Sequence, residues 1–162
     1  MENPGAYTIP CAIGLTSFTK ALCDLGASIN LMSYVIFKRL GLGAPKPITI
    51  KLLMADRMLK KPLGVIDDVI VKMDHFYFPA EFLILDCEVD VEISIILGRS
   101  FLATGRAICD AEVGELKFRL KDEEAIFNIQ KSIKQPHDYG VMYVVDVVDD
   151  VVDDDMEDIY IE

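Results

Sequence analysis

The chain has 162 residues, 52% of them hydrophobic and 27% charged. That is enough apolar content to fill one core of ordinary size and too little length for a two-domain cofactor enzyme. The net charge of −11 is unevenly placed: ten of the 27 acidic residues and no basic one fall in 137–162, leaving 17 acids against all 16 bases in 1–136. The body is therefore nearly neutral, which excludes a phosphate-tracking surface, and no basic patch is interleaved with aromatics, so direct contact with nucleic acid is not expected. No run reaches the roughly 18 apolar residues of a spanning helix. The start, Met1-Glu2-Asn3-Pro4-Gly5, lacks the basic-then-apolar layout of a leader, so a soluble intracellular, cytoplasmic protein with no membrane partner is expected.

Tyr7–Gly14 and Phe18–Cys23 have strand length with β-branched and aromatic content, and the short Gly-Leu-Thr-Ser connection makes them a hairpin. Ser33–Leu40 places Val35, Ile36, Phe37 and Leu40 before Gly41, the pattern of a short helix closed by glycine. Pro47–Met54 and Val65–Met73 are expected as strands around a charged tip, 55–64, with the second interrupted by Asp67-Asp68. Phe76–Leu85, Ile93–Leu97, Ala107–Asp110, Glu115–Leu120 and Ala125–Ile129 continue the series, the last three separated by turn-like Glu112-Val113-Gly114 and Lys121-Asp122-Glu123. Short strands at this spacing predict an all-β barrel or sandwich with one or two short helices. Beyond Gln135-Pro136 the valines from Val144 onward recur at helical spacing among aspartates, which predicts an acidic linker or tail, poorly ordered or helical against a partner.

Cys11, Cys23, Cys87 and Cys109 form no C-x-x-C pair, and neither His75 nor His137 lies near a cysteine at ligand spacing. Reduced, mostly buried thiols are expected, with no metal site, no cofactor and no Cys–His catalytic pair. One segment stands apart: Asp24-Leu25-Gly26-Ala27-Ser28, directly after the apolar run Ala21-Leu22-Cys23. An acid just past a strand, followed by glycine and small residues, lets the backbone turn sharply and present a carboxylate, although Asp followed shortly by Gly is also an ordinary turn. A second segment, Ile95-Ile96-Leu97-Gly98-Arg99-Ser100-Phe101-Leu102, begins as a buried β run, breaks at Gly98 and resumes as a helical turn.

Together these segments and the charged hairpin between them resemble the retropepsin-like aspartic proteases, in particular those of plant Gypsy-type retrotransposon polyproteins, over about residues 4–130. The acidic stretch Tyr143–Asp149 resembles the segment that follows the protease in such polyproteins. The resemblance implies a closed, barrel-like acid-protease fold in 7–130, an N-terminal extension in 1–6 and the acidic tail in 131–162. It implies a homodimer in which each chain donates Asp24, with Leu25, Gly26, Ala27 and Ser28 supporting the catalytic loop. Ala55, Asp56, Arg57 and Met58 would lie in a flap that closes over a peptide or polyprotein substrate, and Gly98 and Arg99 would brace the loop. The sequence departs from the family where Thr or Ser usually follows the acid: here it is Leu25, which cannot donate a hydrogen bond across a dimer axis. Ser28 stands where retroviral relatives often carry an acid facing the arginine. Two functions follow, an endopeptidase and an inactive dimerising relic or peptide-binding module of the same fold.

Overall fold

The structure of the protein, a computed structural model, describes residues 6–54, 59–86, 95–110, 112–131 and 141–145. Strands β1 (Ala6–Ile13) and β2 (Thr16–Asp24) form the expected hairpin. Its two-residue turn is made possible by Gly14 at φ +60°, a left-handed conformation that costs glycine little. The register slips between Ile9 and Cys11, where Pro10 has no N–H to give the ladder. β3 (Asn30–Ser33) runs straight into α1 (Tyr34–Leu40), whose ends match the sequence signals. The Ser33 hydroxyl accepts the Ile36 N–H (3.2 Å), and Gly41 closes the helix at φ +66° with its N–H on the Lys38 carbonyl.

The next segment is shorter in strand than expected. Only Lys51–Met54 is strand (β4), and its hairpin partner is β5 (Leu59–Lys60), through Leu52↔Lys60 and Leu53↔Leu59. The strand expected at Val65–Met73 is present as β6 (Gly64–Met73), but it pairs with β7 (Phe76–Leu85). What reaches β6 from the stretch before β4 is Lys46, which exchanges two backbone hydrogen bonds with Val65 (2.8 and 2.9 Å). The bridge is isolated and does not extend into a strand. Asp67-Asp68 breaks β6 as a bulge, with Asp68 at φ +55°.

β8 (Ile95–Leu97) precedes α2 (Arg99–Thr104), and β9 (Ile108–Asp110), β10 (Glu115–Leu120) and β11 (Glu123–Asn128) form a separate three-stranded sheet. β12 (Gln130–Lys131) lies on β1, and β13 (Val141–Val145) lies antiparallel on β4. Val144 and Val145, the first two of the valine stripe, are thus extended strand residues. The rest of the expected linker, 132–140 and 146–162, lies outside the described residues.

Among the described residues the main sheet runs β12-β1-β2-β8-β3-β7-β6, and the additional β1–β6 pairing closes six of these strands into a barrel. The closure leaves no open edge on those six strands. Alternation then sorts the side chains into two cores. Cys23 of β2, Met32 of β3, Phe82 and Ile84 of β7, and Ile95 and Leu97 of β8 enter one cluster. Leu22, Leu31, Leu83, Leu85 and Ile96, the residues between or beside them, enter a second with Ala27 and Leu52. Both faces of the barrel are buried at this end, so these strands read as unbroken apolar runs rather than as alternation. In the larger core Phe101 of α2 packs on Phe78 and Phe118 (centroids 5.9 and 5.8 Å), and Phe118 packs on Phe127 (5.9 Å), pinning α2 between the barrel and the small sheet.

Cys11 and Cys23 are buried and Cys109 half-buried, all as free thiols, while Cys87 lies outside the described residues. Burial pushes the Cys11 thiol up to about 12 and the Cys23 thiol higher still, so neither is a nucleophile at neutral pH. No helix among the described residues is long and apolar enough to cross a membrane.

Candidate active site

Asp24 is the last residue of β2 and only 5% exposed. It stands two residues after Leu22, on the same face of the strand, and so faces the second core. A carboxylate taken this far out of water needs donors. The chain supplies one locally, as the Gly26 N–H donates to Asp24 Oδ1 (2.8 Å) while the Ala27 N–H donates to the Asp24 carbonyl (3.1 Å). A Cβ on Gly26 would sit 3.2 Å from Asp24 Oδ1, a tight contact that the carboxylate would have to relieve by a few tenths of an ångström. Leu25, at the apex, points outward and is 41% exposed, whereas Ala27 is buried in the second core and Ser28 is half-buried.

The second segment lies across this loop. β8 inserts between β2 and β3, parallel to the first through Leu22↔Ile96 and Cys23↔Leu97 and antiparallel to the second through Leu31↔Ile96. The chain leaving β8 therefore meets the chain leaving β2. Contact is backbone to backbone: the Arg99 N–H donates to the Ala27 carbonyl (2.8 Å) and the Ser100 N–H to the Ser28 carbonyl (3.2 Å). Only glycine fits at the crossing, because a Cβ on Gly98 would lie 2.8 Å from the Ala27 carbonyl oxygen and closer still to that of Ile29. The Arg99 guanidinium returns over the loop, and its Nη1 donates to the Leu25 carbonyl (3.0 Å).

The structure thus brings together Asp24, Leu25, Gly26, Ala27, Ser28, Gly98 and Arg99, the residues expected at the catalytic loop and its brace. The flap residues Ala55, Asp56, Arg57 and Met58 lie outside the described residues. The hairpin that carries them is described on both sides of its tip as β4 and β5, and Leu52 of β4 packs in the same cluster as Ala27.

One residue of the site was not singled out from the sequence. Asn30, 1% exposed, accepts the Gly98 N–H (2.8 Å) and the Ser100 hydroxyl (3.4 Å) at Oδ1, and its Nδ2 donates to the Glu81 carbonyl of β7 (2.9 Å). The available signal was a single amide inside the apolar run Ile29-Asn30-Leu31-Met32. A polar side chain on a strand buried on both faces must satisfy its hydrogen bonds with backbone. Among the described residues no buried side-chain nitrogen or oxygen lacks a partner.

Other charged groups pair among themselves. Asp67 pairs with Lys46, which holds its carboxyl below the usual range, and Glu81 is raised by its hydrogen bond to Asp67 and by burial. Asp67, Asp68, Pro79, Ala80 and Glu81 line a cavity of about 280 Å³ on the β6–β7 pair. His75 bridges Glu123 and Asp74 (3.0 Å each), whose carboxylates raise its pKa. Among the described residues no group of three His, Cys, Asp or Glu is placed to hold a metal ion.

No protein-family model and no curated protein matches the chain. Among solved structures it is similar to the crystal structure of the retroviral protease-like domain of Ddi1 from Leishmania major. The TM-score is 0.55 at 19% identity, over 82% of this chain and 94% of that one. The shared feature is the fold: a mostly β, retropepsin-like architecture with a closed six-strand barrel and two short helices.

Proposed function

We propose that the chain is a retropepsin-type aspartic endopeptidase, active as a homodimer with one Asp24 per chain, and that it processes the retrotransposon polyprotein from which it comes. The observation that carries this is Asp24 itself. It is a buried carboxylate at a strand end, held by the Gly26 N–H on a loop clamped by Gly98-Arg99-Ser100, inside a fold shared with a retroviral protease-like domain. The Gypsy-type origin rests on the sequence resemblance, and so does the division into a protease domain over 7–130 and an acidic tail over 131–162.

In the dimer two Asp24 carboxyls, each brought by its own loop, meet across a two-fold axis. Like charges about 3 Å apart cannot both ionise cheaply, so the pair shares one proton. The ionised member takes a proton from a bound water as it attacks the scissile carbonyl, and the protonated member hydrogen-bonds the developing oxyanion. The β4–β5 hairpin would close over the peptide and exclude water. The substrate class is an extended, apolar peptide segment, and the pH profile is a bell on the mildly acidic side, because the dyad titrates as a unit.

Leu25 favours the second reading, an inactive dimerising module: a leucine at the loop apex offers no hydroxyl to hold two loops in register. Asp24→Asn separates the two. Asn fills the same volume but cannot serve as base, so cleavage of an internally quenched apolar peptide should disappear while thermal unfolding and sedimentation stay as in the parent chain. Cleavage that survives Asp24→Asn, or that a chelator abolishes, would overturn the aspartic mechanism. A dimeric parent with no cleavage between pH 3 and 7 would establish the inactive module.

A further inference from the structure

We propose that Asn30 is a positioning residue for Asp24: its buried amide ties the Gly98 turn to β7 and thereby holds the loop that presents the carboxylate. The proposal concerns how the site is held. Its kinetic arm rests on the endopeptidase reading, and its spectroscopic arm does not.

Gly98 ends β8 and opens α2, and its N–H has no helical partner because it belongs to the first turn. As the N-cap, Gly98 has no side chain with which to cap the helix. The donor is taken instead by Asn30 Oδ1 (2.8 Å), 68 residues away in sequence. The same oxygen takes the Ser100 hydroxyl, and the other end of the amide donates to the Glu81 carbonyl (2.9 Å). One planar side chain therefore fixes three backbones: its own at the start of β3, the β8–α2 turn, and β7. The place calls for a planar group that carries an acceptor toward Gly98 and a donor toward Glu81, which an amide provides at every pH and a carboxyl only when protonated.

What the Gly98 turn then does is hold the acid loop. The two residues after it donate to Ala27 and Ser28, and Arg99 reaches Leu25. Three of the four loop carbonyls between Leu25 and Ser28 are thus bound by the segment that Asn30 anchors. The loop conformation they enforce aims the Gly26 N–H at Asp24 Oδ1. That N–H favours the ionised carboxyl, so a loop released at Gly98 weakens the bond and favours the protonated form. The charged groups around the anchor are Arg99 on the α2 side and, behind β7, Glu81 with Asp67 and Lys46.

Two variants test this in the full-length chain. Asn30→Ala removes all three hydrogen bonds. With folding confirmed by circular dichroism, kcat for the quenched peptide should fall by about 10²-fold with KM changed much less, the size expected of a reacting group displaced by about 1 Å. Asn30→Asp is the sharper variant. When protonated, aspartic acid reproduces the amide, its carbonyl accepting from Gly98 and its hydroxyl donating to Glu81; when ionised, it turns an oxygen against the Glu81 carbonyl. Its activity should match the parent at low pH and collapse as this buried carboxyl ionises, cutting the alkaline side of the bell while the far-ultraviolet spectrum is unchanged.

The arm that needs no cleavage is NMR. The Asp24 side-chain ¹³C titration should move upward by about one pH unit in Asn30→Ala, and the Gly98 and Arg99 amides should lose exchange protection. A parent that never cleaves defeats the endopeptidase reading and leaves this arm to decide on Asn30. An Asp24 titration identical in parent and Asn30→Ala, or an Asn30→Asp profile parallel to the parent at all pH values, overturns the proposal.

Discussion

Replacing Gly98 by alanine isolates the crossing of the two loops. The added Cβ would stand 2.8 Å from the Ala27 carbonyl oxygen and nearer still to that of Ile29, against about 3.3 Å for the closest ordinary C···O contact. Both obstacles are backbone, so the turn must move by at least about 0.5 Å. Three hydrogen bonds span that gap: Gly98 N–H to Asn30, Arg99 N–H to Ala27 and Ser100 N–H to Ser28, at 2.8, 2.8 and 3.2 Å. Losing all three costs about 1.5–4.5 kcal/mol at ~0.5–1.5 each, and overpacking alone costs ~1–3 kcal/mol. Because these overlap, the expected loss is about 2–5 kcal/mol. In urea, with a slope of ~2 kcal/mol/M, the midpoint should fall by about 1–2.5 M at fixed protein concentration. Gly14→Ala is the internal control: its φ of +60° is strained for alanine, but a Cβ there meets nothing within 4 Å, so only the ~1–2 kcal/mol backbone cost applies. Should Gly98→Ala unfold no more easily than Gly14→Ala, the crossing does not hold the loop and the reasoning fails.

Two further outcomes are expected. Leu25→Thr adds a hydroxyl to the exposed apex of each loop, and two symmetric bonds across the dimer axis would contribute ~1–3 kcal/mol, or roughly 5- to 150-fold in dimer affinity by sedimentation. A weaker dimer would instead show Leu25 packed as an apolar plug between the loops. His75, raised by the Glu123 and then the Asp74 carboxylate, stabilises the fold fully below its unfolded value of about 6.5. It loses that contribution as pH rises through the higher folded value. The stability difference between the parent and His75→Gln should therefore be larger at pH 6 than at pH 9, and a His75 titration midpoint at or below 6.5 by NMR would contradict the bridging geometry.

Local chemistry was readable where it acts over a few residues. Ser33 and Gly41 bound a helix because a hydroxyl and a left-handed glycine satisfy helix ends whatever lies around them. Asp24 and Gly26 could be picked out because the turn that presents the acid is built from its own next residues. The fold was also readable at the level of a barrel, since strand length and spacing are local. Pairing was not. The partner of β4 is β5 rather than β6, and Val144 and Val145, at helical spacing, lie extended along β4. A strand's own pattern says which face is apolar and nothing about which edge it joins.

Asn30 is the sharpest case. In the chain it is one amide among apolar neighbours, as compatible with a turn as with a core. Its meaning depends on β8 passing between β2 and β3, which puts a glycine N–H 68 residues away within 2.8 Å and a β7 carbonyl on the opposite side. The residue types of the candidate site are thus written in two short segments. Their mutual support arises only when the barrel closes, because hydrogen bonds between distant backbones depend on topology and leave no periodic trace in the chain.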